Sequence, residues 1–508
     1  MDWNLASTVA HQAERGGDRL AIEAPDATVT YAELHDRVER LAAGLAGIGI
    51  APGQVVALLG LNSEAYVEAA LAVGRLGGVA LPLNWRLAPP ELAYILEHSE
   101  TRLLLADDEL RDLAERSIAE LGRALPLGRL HGDGAGGLSV AGLREEAAGA
   151  APPHVAGPDE LARLMYTSGT TGHPKGVMIT HANILWKNVS HARELGLGPL
   201  DVGLVVGPLY HVGGLDLTTT TSLYLGASIV VHRRFEAPAA LAALATGRFT
   251  NVWLAPAMLN ALLVESEASG VRAKDLRLII GGGEKTPLAL LDRIQGVFPG
   301  VWFCDAYGLT ETVSGDTFLP QAHAREKPGS VGLPVMLLDV AILDEDDRPV
   351  PAGTPGEICL RGPKVCAGYW KRPEDTERAF RNGWFHTGDV GVLDGDGYLT
   401  ITDRLKDMII SGGENIASAE VERVLYEHPA VREAAVVGRP DERWGEVPVA
   451  FVALRDGVPA EPAEIVGYCA ERLARFKTPK DVLLVPELPR NPSGKVLKRE
   501  LRERLQAG

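Results

Sequence analysis

Between Val55 and Leu83 two short apolar runs flank a helical segment, and this alternation restricts the fold more than any other feature of the chain. Val55 to Leu59 is apolar at every position, as a strand covered on both faces requires. Glu64 to Leu76 carries apolar residues at helical spacing, Gly77-Gly78 ends it, and Val79 to Leu83 is a second apolar run. Strand, helix, strand implies parallel strands joined by a crossover helix. Upstream, Thr30-Tyr31-Ala32-Glu33 has the capping-box pattern, and Leu34, Val38, Leu41 and Leu45 follow at helical spacing. The expected class is α/β. A chain of 508 residues is too long for one core, so two or more domains are expected.

Charge and cysteines narrow the function. A net charge of −17 disfavours nucleic acid or an anionic membrane as the main partner. The four cysteines, Cys304, Cys359, Cys366 and Cys469, show no C-x-x-C spacing, which suggests neither a zinc site nor a disulfide framework and fits a reduced cytoplasm. The N-terminus lacks a basic segment followed by an apolar one, so no signal peptide is expected. Arg75 interrupts the longest apolar candidate, Ala69 to Leu83, and no stable membrane insertion is expected.

Tyr166-Thr-Ser-Gly-Thr-Thr-Gly-His-Pro-Lys-Gly176 concentrates what a phosphate needs. Glycines turn backbone N–H groups toward a ligand, hydroxyls donate, and Lys175 brings a mobile positive charge. Strands are expected on either side, at Leu161 to Met165 and Val177 to Ile179. A mobile surface loop is the plainer reading, and the segment is not a Walker A loop. Gly132 to Gly137 formally matches G-x-G-x-x-G, but no strand leads in and no helix opens there, so it is read as a surface loop.

Further short motifs follow predicted strands. Pro208-Leu-Tyr-His211-Val-Gly213-Gly214 follows Gly203 to Val206, and Leu215, Leu217 and Thr218 to Thr221 would continue on a helix. Gly281-Gly282-Gly283-Glu284 follows Leu276 to Ile280, and glycines there permit close approach of a flat ring. Asp305-Ala306-Tyr307-Gly308-Leu309-Thr310-Glu311-Thr312 follows Val301 to Cys304. In it Tyr307 can stack on a purine, Thr310 can donate to phosphate and Glu311 can hold Mg2+. Thr387-Gly388-Asp389 offers a carboxylate for two hydroxyls. Asp403-Arg404-Leu405-Lys406-Asp407 is a charged turn, and Gly412-Gly413-Glu414-Asn415 follows it. Pro489-Arg-Asn-Pro-Ser-Gly494-Lys495-Val496 places a lysine on a loop after a stretch of short strands and helices.

Five of these segments, in this order, resemble the signatures of the adenylate-forming superfamily, in its acyl-CoA synthetase and fatty-acid or aryl-CoA ligase branch. The resemblance runs from Thr30 to about Arg499. It implies a large multi-subdomain N-terminal domain with stacked sheets, residues 1–402, and a small mobile α+β lid, residues 403–508, hinged at 403–407. It implies ATP, Mg2+ and CoA as cofactor and co-substrates, and a carboxylic acid activated as acyl-AMP before transfer to CoA. Nucleotide contacts are then implied for Thr167, Ser168, Gly169, Thr170, Thr171, Gly172, Lys175, Gly281, Gly282, Gly283, Asp305, Ala306, Tyr307, Gly308, Thr310, Asp389, Arg404 and Lys495. Glu311 is implied as the metal ligand, and Lys495, Glu311, Thr310 and His211 as the catalytic group. His211, Gly213, Trp253, Gly283 and Gly308 would border the acyl group, with the small residues Gly213, Gly214 and Gly283 leaving room for it. Lys406 would be the pivot, and Gly412 and Gly413 would line the CoA tunnel. Gly368-Tyr369-Trp370 is a family landmark read as mostly structural.

Other readings keep the nucleotide and change the outcome. The acceptor could be a carrier protein, or the acid an inorganic oxoacid such as nitrite. A regulator without turnover is a third reading, and a homodimer is left open.

Overall fold

The computed structural model describes residues 3–507 apart from 133–137, 148–151, 153, 168–173, 283–285, 287, 405, 406, 408, 412, 413, 417, 442, 443, 474, 476 and 491–495. By internal contacts the chain forms two compact units, Met1–Val340 with Leu360–Phe385, and Ala341–Cys359 with His386–Gly508.

Two sheets organise the first unit. In a six-stranded sheet the order is Leu127–Arg129, Leu103–Ala106, Val55–Leu59, Val79–Pro82, Leu161–Thr167, Lys175–Thr180. The Val55–Leu59 and Val79–Pro82 strands pair in parallel through the helix Glu64–Arg75, as the alternation predicts. Ser63 caps that helix, and Thr30 with Glu33 forms a capping box on the helix Tyr31–Gly47. The last pair in the sheet is an antiparallel hairpin, with Thr167 opposite Lys175.

The nine-stranded sheet places the candidate site. Its order is Leu333–Pro334, Thr317–Phe318, Trp302–Tyr307, Leu278–Gly282, Asn251–Trp253, Val202–Val205, Ser228–Val231, Leu20–Ala24, Ala27–Thr30. The six strands from Trp302–Tyr307 to Leu20–Ala24 run parallel. Apolar side chains such as Leu204, Val252, Ile279 and Phe303 fill one face of it. From Val202–Val205 the chain builds outward to Ser228–Val231. It then crosses back to Asn251–Trp253 on the other side and continues to Leu278–Gly282 and Trp302–Tyr307. Winding thus reverses at Val202–Val205, and a crevice opens outside the carboxyl ends of strands at such a reversal.

The second unit is α+β. One sheet runs Glu414–Ile416, Ile409–Ser411, Gly445–Leu454, Val431–Asp441, with Asp481–Leu484 added in parallel to Gly445–Leu454, and much of a second, with the strands Asp339–Leu343, Gly356–Arg361, Trp384–Leu393 and Leu399–Arg404, also belongs to this unit. The helices Ser418–Tyr426 and Pro462–Ala470 cover the first of these sheets through Val421, Val424, Leu425 and Ile465. Pro462 sets the first turn of the second helix, which ends at Ala470. Arg502 on the terminal helix Lys498–Ala507 donates to Asp407 at 2.6 Å. Among the described residues no helix is long and apolar enough to cross a membrane.

Candidate active site

Four of the predicted motifs sit at the carboxyl ends of adjacent parallel strands. They are the loop carrying His211, the segment from Trp253, the Gly281-Gly282 pair, and Asp305 to Thr312. Asp305, Ala306 and Tyr307 belong to the strand itself rather than following it, because pairing with Gly281 and Gly282 extends it. Gly282 has φ +148, and a Cβ there would collide with the Ala306 carbonyl oxygen, so two backbones meet where only glycine fits. A side chain at Gly308 would strike the Gly315 amide.

Beyond Tyr307 the chain makes the short 3-10 turn Thr310–Thr312 and then three consecutive left-handed residues, Val313 (φ 56), Ser314 (φ 66) and Gly315 (φ 60). Such backbone persists in side-chain-bearing residues only where the surroundings impose it. Here the buried Lys364 ammonium imposes it. Its Nζ donates to Ser314 O at 2.8 Å, Gly315 O at 2.7 Å and Asp316 Oδ1 at 2.7 Å. Thr312 Oγ1 donates to the other Asp316 oxygen at 2.6 Å, and His191 Nε2 lies 3.0 Å from Gly315 O. Burial, with Lys187 and Lys364 nearby, holds His191 well below the usual imidazole range, so it is a neutral donor.

Glu311 is tied to the hairpin. Tyr369 OH donates to Glu311 Oε1 at 2.9 Å, and the same ring lies 5.2 Å beneath the Lys175 ammonium. Lys175 is not the mobile charge expected of its loop, for Asp375 Oδ1 holds it at 2.9 Å. Residues 367–370 add to the edge of the Lys175–Thr180 strand through Met178 N to Gly368 O, Ala367 N to Met178 O and Trp370 N to Gly176 O. That pairing carries Tyr369 onto Glu311. Burial, then the Glu311 charge, raises the Tyr369 phenol far above its ordinary range, so it stays a donor.

At the winding reversal His211 stacks on Trp253, with ring centroids 5.5 Å apart at 22°. His211 Nδ1 accepts the Gly213 N–H at 3.0 Å, which leaves Nε2 as the protonated nitrogen of the neutral ring. Burial lowers its pKa. The room expected at Gly213 and Gly214 is already taken. A Cβ at Gly213 would collide with the Trp253 indole, and one at Gly214 would lie 2.5 Å from Pro208 O. The predicted helix after His211 forms, but its first two turns, Gly213–Thr220, are π-helical. Beneath it Asp216 pairs with Arg163 at 2.7 Å, while Lys187 Nζ donates to Asp216 O at 2.7 Å and to Thr220 at 2.8 Å. Burial brings the Lys187 pKa down to about 7.

In the second unit Asp389 and Arg404 are directly opposed in the antiparallel pair of Trp384–Leu393 with Leu399–Arg404. Asp389 is buried, and its N–H donates to Thr387 Oγ1 at 3.0 Å. Ser168, Gly169, Thr170, Thr171, Gly172, Gly283, Lys406, Gly412, Gly413 and Lys495 lie outside the described residues.

Comparison with known proteins decides the family. The model for AMP-binding enzymes matches residues 9–370, and that for the AMP-binding enzyme C-terminal domain matches 420–495. The chain belongs to the AMP-binding enzyme family. It is 41% identical over 501 residues to a feruloyl-CoA synthase of Amycolatopsis, covering 98% of this chain and 99% of the relative. It is 38% identical to a long-chain-fatty-acid–CoA ligase of Mycobacterium tuberculosis, covering 95% and 94%. Among solved structures, o-succinylbenzoate CoA synthetase of Bacillus subtilis with its acyl-adenylate intermediate superposes with TM-score 0.86 at 36% identity, over 97% of each chain. The same enzyme with ATP and magnesium ion gives 0.85 at 35% identity, over 98% of this chain and 99% of that one. This AMP-binding enzyme therefore has the adenylate-forming fold that its signatures resemble, and the relatives it matches over nearly their whole length include acid–CoA ligases.

Two residues that shape the site escaped the sequence reading. Tyr369 stood in a motif taken as structural, and Lys364 stood in none. A lysine in Gly362-Pro363-Lys364 reads as a solvated charge until the fold encloses it.

Asp305 makes the AMP-binding enzyme sensitive to pH. Burial raises its carboxyl to about 7, against the pull of the Thr286 hydroxyl and the Ala306 N–H. A carboxyl raised in the folded state stabilises below its unfolded pKa of about 4 and loses that contribution as pH rises to about 7. The loss is at most on the order of 4 kcal/mol. Asp305→Asn cannot titrate, so its melting temperature relative to wild type should climb between about pH 4 and pH 7. Parallel melting curves for the two proteins would count against this ionisation.

Proposed function

We propose that this enzyme activates an aryl or cinnamic-type acid as its adenylate and transfers the acyl group to CoA. The observation that carries the reading is the His211–Trp253 stack at the winding reversal, on strands adjacent to those that carry the Gly281-Gly282 and Asp305–Thr312 segments. A flat acid fits beside a histidine–indole stack, and full-length relatives at 41% identity are feruloyl-CoA synthases.

The acid's carboxylate oxygen attacks the α-phosphorus of ATP, and pyrophosphate leaves. Thr167 and the following loop, with Lys175, bind phosphate oxygens, and Thr310 donates to them. Gly281, Gly282, Ala306 and Tyr307 border adenine. Asp389 accepts the ribose hydroxyls with Arg404 beside it. Glu311 has the hard oxygen donor that Mg2+ prefers, and the ion would offset phosphate charge there. Lys495 supplies the positive charge that lets two anions meet. In the second half-reaction the CoA thiol attacks the acyl carbon and AMP leaves. For that step the Gly412-Gly413 loop replaces Lys495 by rotation about Lys406 in the hinge 403–407, the lid comprising the residues after it. A cytoplasmic location fits four cysteines that are all free.

CoA-dependent AMP formation across hydroxycinnamic, benzoic and fatty acids tests the reading. Hydroxycinnamates should give the highest kcat/KM, and preference for a long-chain fatty acid would overturn it. A carrier protein is a second acceptor to assay, since a fatty acid–[acyl-carrier-protein] ligase of Streptomyces coeruleorubidus is 38% identical. Release of pyrophosphate with a holo-carrier protein but not with CoA would favour it.

Tyr369→Phe removes one charge-assisted hydrogen bond from Glu311 and leaves the ring beneath Lys175. Such bonds contribute about 1.5–3 kcal/mol, so kcat/KM for MgATP should fall about tenfold or more. An unchanged value would show that Glu311 needs no such support.

A further inference from the structure

We propose that Glu357, Cys359 and His386 form a binding site for a thiophilic divalent cation, best matched by Zn2+. Glu357 and Cys359 stand two apart on the strand Gly356–Arg361, so their side chains leave the same face. His386 comes from the strand Trp384–Leu393. Cys359 Sγ lies 3.3 Å from His386 Nδ1, and Glu357 Oε2 lies 2.8 Å from the same nitrogen. One sulfur, one nitrogen and one oxygen thus fall within 4.8 Å of one another, with Cys359 and His386 buried. Tetrahedral zinc binds these three donor types at about 2.0–2.3 Å, which sets the donors roughly 3–4 Å apart. Small side-chain adjustments therefore suffice.

Two surrounding contacts suit a metal. Glu357 Oε1 accepts the Gly388 N–H at 2.9 Å, which anchors the carboxylate and aims its other oxygen at the cluster. Across the ring, Asp347 Oδ1 stands 3.7 Å from His386 Nε2, a buried nitrogen with no hydrogen bond among the described residues. A carboxylate in that place commonly fixes the tautomer of a metal-bound histidine. On binding, the Cys359 thiol loses its proton to solvent and the imidazole carries its own on Nε2, leaving the Nδ1 lone pair to the metal. Thiolate and Glu357 carboxylate offset the two positive charges, and water completes the tetrahedron. The cation would fasten strand 356–359 to strand 386–393 immediately before Thr387-Gly388-Asp389. The absence of any C-x-x-C spacing does not bear on such a site, because its ligands come from two strands.

The test loads the full-length enzyme, stripped with a chelator, with Co2+ and then Zn2+. One equivalent of Co2+ should bind with a near-ultraviolet thiolate charge-transfer band and the strong visible bands of four-coordinate cobalt. Zn2+ should displace it and raise the melting temperature. Cys359→Ser should lose the charge-transfer band, and Glu357→Gln should keep the band with affinity lowered about tenfold or more. Wild type that binds no cobalt, or a band that survives in Cys359→Ser, overturns the proposal. Should Cys359→Ser fail to fold, undiminished affinity in Glu357→Gln overturns it equally.

Discussion

Lys364→Met is expected to destabilise the first unit by about 3–5 kcal/mol, the cost of stripping one partner from a buried ion pair. The methionine fills much of the same volume, so the loss is electrostatic rather than a cavity. Asp316 is left as a buried carboxylate, and its bond from Thr312 cannot neutralise it. The Ser314 carbonyl loses the Lys364 donor as well, and the Gly315 carbonyl keeps only the neutral His191 as a side-chain donor among the described residues, in a left-handed segment that depends on such bonds. Adding Asp316→Asn removes the stranded charge, and the double variant should recover a substantial part of the loss. Urea unfolding of the two variants checks both statements. A cost below about 1 kcal/mol for Lys364→Met would mean that the pair is not what holds the turn.

Lys495→Ala should lower adenylate formation by about 100-fold to 1000-fold, the usual effect of removing a charge aimed at a developing transition state. It should leave thioester formation from a synthetic acyl-adenylate and CoA near the wild-type rate. The asymmetry follows from the chemistry. In the first half-reaction a carboxylate approaches a polyanion, and a nearby cation offsets the repulsion. In the second a thiol attacks a mixed anhydride, whose acyl carbon is already electrophilic. Pyrophosphate exchange for the first step and AMP release for the second separate the two, and equal losses would remove Lys495 from its assigned role.

The fold was legible wherever apolar periodicity was strong. Val55 to Leu83 gave its strands and crossover helix, and the capping box at Thr30 gave the start of another helix. The site was legible as motifs but not as geometry. Asp305 to Thr312 announced itself by residue type, yet nothing in its letters shows that the backbone beyond runs left-handed through Val313 and Ser314. Lys364 lies 48 residues away from the carboxylate it pairs with, and such long-range partners leave no local pattern. The glycines at 213 and 214 misled because glycine signals missing volume without saying what fills it. Asp389 and Arg404 came from separate motifs, and their cross-strand pairing appears only once the hairpin forms.

The indole of Trp253 lies where side chains at both Gly207 and Gly213 would stand. These three positions therefore share one fixed allotment of space. A methyl group gained at 207 or 213 demands a smaller ring at 253, and neither change alone is tolerable. Any redesign there has to trade volume among the three at once, and single substitutions will report crowding rather than a lost or gained contact with a ligand.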